Sequence, residues 1–267
     1  MAATSRSIPF VLNADWAILT ALVGSLYAVG LIAVRRQGIG HPPRRILAFY
    51  GGMLGTLVAF VSPLDNYDVV SLFAHTAQHL ILMFVVAPLV ALGAPITVLT
   101  AAVPASVRRR VLTLLNSGAL CLLTQPMVAM AIFVGVQATT LTSAFFNAAI
   151  ESDLLHLLEH ALYLGTGFLF WWPILAVDPT PRKTPLKTRY IALVLAVPLE
   201  VLFAVAILWA GRPLYPHYAS LPSPWGGHSA LLSQRKAGAL LLLIPPLVLG
   251  IPSLLFASAL KTERYGR

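Results

Sequence analysis

Long apolar stretches dominate this chain of 267 residues and restrict it to one class of fold. Hydrophobic residues make up 58% of the chain and charged residues 10%, which is too little charge to cover a water-soluble globule. A bilayer core about 30 Å thick requires about 20 mostly apolar residues per helix, and seven segments approach or reach that length. They are 16–34, 46–62, 69–92, 125–143, 153–176, 190–210 and 237–258. The sequence predicts a single-domain (1–267), all-α, polytopic membrane bundle of seven transmembrane helices.

Positive charge predicts how this bundle is oriented. With seven spans, 14 of the 18 Lys and Arg residues fall in loops on one side, and only 4 fall on the other. Because cytoplasmic loops retain positive charge during insertion, we expect the amino terminus outside and the carboxyl terminus inside. Residues 105–123, with three consecutive arginines at 108–110, are predicted to form a cytoplasmic interfacial helix before span four. The basic residues behind the net charge of +9 are then expected to contact anionic lipid headgroups, and nucleic-acid binding is not expected.

Two pairs of histidines, each four residues apart, lie near the predicted outer ends of spans three and five. The pairs are His75 with His79 and His156 with His160. Residues at this spacing share one face of a helix, about 6 Å apart along its axis. Polar side chains in lipid are costly and normally face a site inside the bundle. We therefore predict that the four imidazoles converge on a metal ion.

Other polar residues are candidates for supporting roles around this metal. Gln78 shares the stripe of the first pair, while Glu159 and Tyr163 share that of the second, where Glu159 is expected to orient a ligand imidazole. Met83 offers a thioether at i+8 from His75, and Glu200 near the bilayer midplane is a candidate counter-charge or proton acceptor. The outer loop 211–236 carries two further histidines that are placed to pass metal to the site. They are His217 and His228.

The donor types favour some metals and leave several functions open. Imidazole suits copper, zinc, iron and nickel, whereas magnesium and calcium require clustered carboxylates. One alternative is a b-type cytochrome, although two histidines on one helix cannot each serve a separate haem. A second is a zinc metallopeptidase, since residues 156–160 satisfy the pattern H-x-x-E-H. A third is a metal transporter, which would require ionisable residues continuing towards the inner face.

Several motifs between residues 46 and 240 resemble a known family. They are Ser62-Pro63-Leu64-Asp65, Ser71-Leu72-Phe73-Ala74-His75, Gln78-His79-Leu80, Ala87-Pro88-Leu89, Leu92-Gly93-Ala94-Pro95, Glu159-His160 and Phe170-Trp171-Trp172-Pro173. In these the chain is similar to the polytopic CtaG-type cytochrome c oxidase assembly factors associated with caa-type oxidases. It departs from the family pattern at three places. Thr76 stands where a methionine is usual, and residues 136–139 lack the usual Trp-His-x-Pro element. Ser233 stands before Gln234 where the family has an aspartate.

The resemblance implies a multi-pass protein of the bacterial plasma membrane that has no catalytic turnover. It implies that the protein binds or delivers copper on the outer side, that a haem-copper oxidase subunit is its client, and that a periplasmic protein supplies the copper. It also implies that His75, His79 and His160 are site residues, whereas His156 is assigned on helix geometry alone.

Overall fold

The computed structural model describes residues 12–141, 143–221 and 229–265, and within these ranges it is all-α without a β-strand. The helices are α1 (Ala14–Arg36), α2 (Pro43–Phe60), α3 (Pro63–Asp68), α4 (Leu72–Ile81), α5 (Ala87–Leu92), α6 (Pro95–Ala102), α7 (Ala105–Leu115), α8 (Gly118–Leu123), α9 (Pro126–Thr140), α10 (Ser143–Glu151), α11 (Asp153–Leu175), α12 (Leu186–Trp209), α13 (Pro216–Ser220) and α14 (Ala230–Tyr265). A π-helical segment, Leu82–Val86, joins α4 to α5.

Four helices in the described ranges are long and apolar enough to cross a membrane. They are α1, the continuous segment Leu72–Leu92, α12 and Ala230–Lys261 of α14. A fifth span is possible if α9 and Ala144–Glu151, which are bent by 76°, count as one. Helices α2 and α11 coincide with the second and fifth predicted spans but are not among the four. The first turn of α2 carries two arginines, and α11 carries the polar stripe of the second histidine pair.

The predicted interfacial helix at 105–123 is wrong as one continuous helix. The chain forms α7 and α8 instead, separated by Asn116 and Ser117. The Ser117 hydroxyl accepts the backbone N–H of Leu120, which is a side-chain cap that starts a new helix. Neither helix has a buried residue, so both lie on the surface of the bundle.

The two histidine-bearing helices begin in the same way. Ser71 caps α4 by accepting the N–H of Ala74, and Ser152 caps α11 by accepting the N–H of Leu155. Each serine lies four residues before the first histidine of its helix, so both histidine pairs occupy the first two turns. This shared start places the pairs at corresponding heights once the two helices pack side by side.

The segment Leu72–Leu92 lies at the centre of the bundle. Of its apolar window 61% is buried, against 22–33% for the other three candidate spans. Its contact with α11 is close because a Cβ added at Gly167 would lie 3.0 Å from Ala87 Cβ and 3.4 Å from Met83 Cα. The π-helical segment also leaves the Met83 carbonyl to accept the indole N–H of Trp171 at 2.9 Å. The α4–α11 contact is therefore fixed below the histidines.

Helix α14 packs along α12 and against the start of α4. A Cβ at Gly238 would lie 2.7 Å from the Leu208 backbone nitrogen, so this position admits only glycine without a shift of the helices. Ser233 accepts the N–H of Phe73 at 3.3 Å, and the Gln234 side chain accepts the N–H of Leu214 at 2.7 Å. These contacts tie α14 to the end of the bundle where the histidines lie.

A second polar cluster lies at the ends of α5 and α11 that are farthest from the histidines. The Asp178 carboxylate accepts the backbone N–H groups of Ile96 and Thr97 at 2.7 and 2.8 Å and the Thr97 hydroxyl at 2.6 Å. The Tyr27 hydroxyl donates to the Gly93 carbonyl at 2.7 Å and lies 3.0 Å from His41 Nε2. These bonds anchor the start of α6, which follows Ala94 at a φ of 52°.

Candidate metal centre

The structure brings the four predicted histidines into one cluster. Ring centroids lie 4.1 Å apart for His75 and His79 and 4.4 Å apart for His156 and His160, within their own helices. Across the two helices the distances are 5.4 Å for His75 and His156 and 5.2 Å for His79 and His160. Each histidine thus contacts one ring on its own helix and one on the other helix.

Two carboxylates complete the cluster. Glu159 Oε2 lies 3.6 Å from His75 Nε2, and Asp68 Oδ2 lies 3.4 Å from His156 Nε2. Among the residues that the structure describes, two sets of three donors have ligand atoms that all lie within 4.8 Å of one another. We name them the Asp68 triad (Asp68, His156 and His160) and the Glu159 triad (His75, His156 and Glu159).

The cluster is buried, and much of its hydrogen-bonding capacity is unused. His75 and Glu159 expose 1% and 0% of their surface. Seven of the eleven buried side-chain nitrogen and oxygen atoms without a hydrogen-bond partner, among the described residues, belong to this cluster. They include both nitrogens of His75, both carboxylate oxygens of Glu159, and Nε2 of His156. Because unpaired buried polar groups are costly, a bound cation would stabilise this arrangement.

Gln78 holds one histidine in a fixed orientation. Its amide nitrogen donates to the Ala59 carbonyl at 3.0 Å and to Asp65 Oδ1 at 3.1 Å, which leaves its oxygen facing His160 Nε2 at 3.1 Å. Asn13 in turn donates to the other oxygen of Asp65 at 3.2 Å. Since an amide oxygen only accepts, His160 carries its proton on Nε2. Such a partner orients a metal-binding imidazole.

Aromatic side chains form the walls of the site. Phe60 lies 4.9 Å from the His160 ring and stacks on Trp16, while Phe146 lies 4.8 Å from the His75 ring. The Tyr218 hydroxyl from α13 donates to the Asp68 carbonyl at 2.6 Å. The donors are therefore screened from lipid, with His156 the most exposed at 15% of its side chain.

A small cavity extends from His79 towards the centre of the bundle. Its volume is about 20 Å³, enough for about one water molecule, and its lining includes Thr76, His79, Met83 and Gln137. Tyr163 also lines it, packs 4.2 Å from the His79 ring and hydrogen-bonds Thr140. His79 belongs to neither triad, so it lies beside the candidate donors at the boundary with this cavity.

The remaining predicted accessory residues lie outside the cluster. Glu200 accepts the Gln137 amide at 2.8 Å and is joined to the cavity only through that residue, while its other oxygen has no partner. His217 is at the surface, with Nε2 2.9 Å from the Val69 carbonyl. Met83 lies in the π-helical segment and packs in the core. His228 lies outside the described residues.

The sequence analysis missed Asp68 as a candidate donor. Asp68 ends the short helix α3, and the chain turns back before α4, so the contact with His156 crosses helices far apart in sequence. Burial raises the pKa of Asp68 to about 8, and the charge of Asp65 raises it as well. One signal was present, because Asp65 and Asp68 are the only acidic residues between positions 46 and 92.

Comparisons with known proteins give the family. The model of a family described as "Cytochrome c oxidase caa3 assembly factor" matches residues 25–263. Curated relatives include uncharacterized proteins of Mycobacterium bovis and Mycobacterium tuberculosis, each 26% identical over 220 residues, which is 79% of this chain and 33% of the relative. One from Mycobacterium leprae is 26% identical over 215 residues, which is 77% of this chain and 33% of the relative.

The chain spans about a third of the length of these curated relatives. No solved structure matches it. The family model covers most of the chain, including both histidine pairs, Asp68 and Glu159. The chain therefore belongs to the cytochrome c oxidase caa3 assembly factor family.

Proposed function

We propose that this protein binds copper between α4 and α11 and supplies it to a haem-copper oxidase subunit during assembly. The observation that supports copper binding is the group of seven buried, unpartnered donor atoms on four residues of two neighbouring helices and on Asp68 of α3. A structural histidine cluster would satisfy these atoms with one another or with backbone groups. Here they are left for a ligand.

The chemistry of the donors favours copper among the candidate ions. The two triads offer imidazole nitrogens and carboxylate oxygens, a set that suits divalent copper and zinc. Copper binds such donors more tightly than zinc does in the usual order of affinities. The family's connection with cytochrome c oxidase, an enzyme that contains copper, supports the same choice. No observation favours the haem, peptidase or transporter alternatives.

The proposed membrane arrangement has seven spans with the amino terminus outside. Helices occupy all seven predicted segments, and the distribution of 14 against 4 positive residues supports this orientation. The first turns of α4 and α11 then face the outer side of the bacterial plasma membrane, where a periplasmic protein would supply copper. The protein acts as a binding and transfer partner for the oxidase and not as an enzyme.

Metal analysis of detergent-purified protein tests this proposal. We expect about one copper ion per chain in the wild type and a loss of at least about tenfold in His75→Ala and in His156→Ala. His217→Ala is the matched control, because it removes a partly exposed histidine that belongs to neither triad. Equal copper in all four proteins, or zinc binding in preference to copper, would contradict the proposal. Oxidase activity in cells that carry each variant tests the connection with assembly.

A further inference from the structure

The small cavity beside His79 differs chemically from the two triads. Its volume of about 20 Å³ is enough for about one water molecule or one metal ion. Among the described residues that line it, none carries a carboxylate, whereas each triad contains one. An ion in this cavity would therefore be bound by neutral donors.

His79 offers the cavity a nitrogen atom that the rest of the protein does not use. The residue is 6% exposed, and its Nε2 is buried without a hydrogen-bond partner. The rings of His75 and Tyr163 lie 4.1 and 4.2 Å from the His79 ring and hold it in place. An imidazole nitrogen that is fixed and unpaired binds a metal when it carries the lone pair of the neutral ring.

Met83 brings a thioether to the same cavity. It lies four residues after His79 in the continuous helical segment, so the two side chains share a face, and both residues line the cavity. Long side chains in a helix point back towards its amino terminus, which directs the Met83 side chain towards His79. Met83 is 2% exposed, so its sulfur is enclosed in the bundle.

This pair of donors suits monovalent copper. Thioether ligands favour Cu(I), whereas the carboxylates of the triads suit divalent ions. The cost of burying an ion rises with the square of its charge, so neutral donors accommodate a monovalent ion better than a divalent one. A water molecule in the cavity would leave the thioether without a strong bond, because this sulfur is only a weak acceptor.

We propose that His79 and Met83 form a separate site for Cu(I), while the triads bind Cu(II). This inference rests on the proposed function and adds a second oxidation state to it. The copper arrives already reduced, so no electron is transferred, and His79 Nε2 and the Met83 sulfur each form one bond to it. Because the His75 and His79 rings lie 4.1 Å apart, ions in both sites would repel one another, and we expect one copper per chain in either oxidation state.

The affinity for Cu(I) under anaerobic conditions tests this site. The detergent-purified chain competes for Cu(I) with bathocuproine disulfonate, and every sample carries Cys121→Ser, because Cys121 is a free thiol outside the cavity. Met83→Leu keeps the side-chain volume but removes the sulfur. It should weaken Cu(I) binding at least about tenfold and leave Cu(II) binding unchanged. Met130→Leu is the matched control, because Met130 is buried in the same core cluster but does not line the cavity.

X-ray absorption gives a measurement that needs no change in the site itself. With Cu(I) bound to the protein that carries only Cys121→Ser, we expect both nitrogen and sulfur bonded to copper. The sulfur signal should be kept in Met130→Leu and lost in Met83→Leu. If Met83→Leu does not fold, the absence of sulfur around Cu(I) in the parent protein would still overturn the proposal.

The outcomes distinguish this inference from the function on which it rests. A protein that binds neither Cu(I) nor Cu(II) would contradict the proposed function itself. Normal Cu(II) binding with equal Cu(I) affinity in Met83→Leu and Met130→Leu would leave the function standing and overturn the Cu(I) site. Equal weakening of both ions in Met83→Leu would also overturn it, since the change would then act through the fold. Loss of Cu(I) alone, in Met83→Leu alone, would support it.

Discussion

Two buried carboxylates, Glu159 near the start of α11 and Asp178 just after its end, have opposite surroundings. Asp178 is 4% exposed, and its two oxygens accept three hydrogen bonds from Ile96 and Thr97. Glu159 is 0% exposed, and neither of its oxygens has a hydrogen-bond partner. Both have been removed from water at similar cost, but only Asp178 is compensated within the protein.

This difference separates a structural role from a binding role. The bonds of Asp178 fix the start of α6 against the end of α11, so its contribution is to stability. Glu159 contributes nothing comparable, and its unpaired oxygens lie beside the unpaired nitrogens of His75. Burial alone therefore does not single out a candidate functional carboxylate, whereas burial without a hydrogen-bond partner does.

The largest effect on folding is expected at Asp178. Asp178→Ala leaves the N–H groups of Ile96 and Thr97 without acceptors and should reduce the free energy of unfolding by about 3 kcal/mol. Denaturation in mixed micelles measures this change. Asp153→Ala, at an exposed acidic residue, should have little effect. Copper content per folded Asp178→Ala molecule should equal that of the wild type, and a loss of copper would contradict the separation of roles.

A smaller effect on the free energy of unfolding is expected at Gln78, whose side chain contacts the site and makes three hydrogen bonds. Gln78→Met removes the partner of His160 Nε2 and should slow copper loading about tenfold, with a loss of about 1 kcal/mol in stability. Gln137→Met is the matched control, since this buried amide bonds Glu200 and no histidine. Equal loading rates in the two variants would show that Gln78 does not act through His160.

A third change tests the contribution of one hydrogen bond at the stable end. Thr97→Val removes the hydroxyl that donates to Asp178 at 2.6 Å but leaves the backbone bond of the same residue. The free energy of unfolding should fall by about 1 kcal/mol. Copper binding should not change. A loss as large as that of Asp178→Ala would mean that the hydroxyl, and not the set of three bonds, holds α6 in place.

The smallest effect on folding is expected at Glu159. Glu159→Gln in metal-free protein should change the free energy of unfolding little, because neither carboxylate oxygen has a hydrogen-bond partner and the approach to His75 Nε2 is long at 3.6 Å. The same denaturation measurement as for Asp178→Ala gives the comparison directly. Destabilisation of metal-free Glu159→Gln by as much as Asp178→Ala would show that Glu159 has a structural partner and would remove the contrast between the two ends.

The site was partly predictable because its main residues follow helical spacing. The i, i+4 histidine pairs and the stripe to Tyr163 could be assigned to single faces, and in the structure the histidine rings of the two faces lie 5.2–5.4 Å apart. Asp68 could not be placed in this way, because its position depends on how α3 turns between two helices. Gln78 was assigned to the stripe, but its bonds to Asp65 and Ala59 depend on tertiary packing.

The fold shows the same limit. Apolar length predicted where helices form, but it could not reveal the break at Asn116 and Ser117 or the π-helical turn after α4, both of which depend on local hydrogen bonds. The number of spans also depends on polar side chains. Helix α11 lies in the segment 153–176 that the sequence predicted as a span, but it is not among the four helices apolar enough to cross a membrane, because the polar residues of the candidate site lie on it.

Gly167 has a consequence for the spacing of the candidate site. Its missing side chain lets α11 approach Met83 and Ala87, and this approach contributes to the spacing of the two histidine pairs, which lie about two to three turns away along α11. A residue with a Cβ at this position would act as a spacer and widen that gap. If the proposed ion binds between these helices, the width of its site is set in part by a residue that does not contact it.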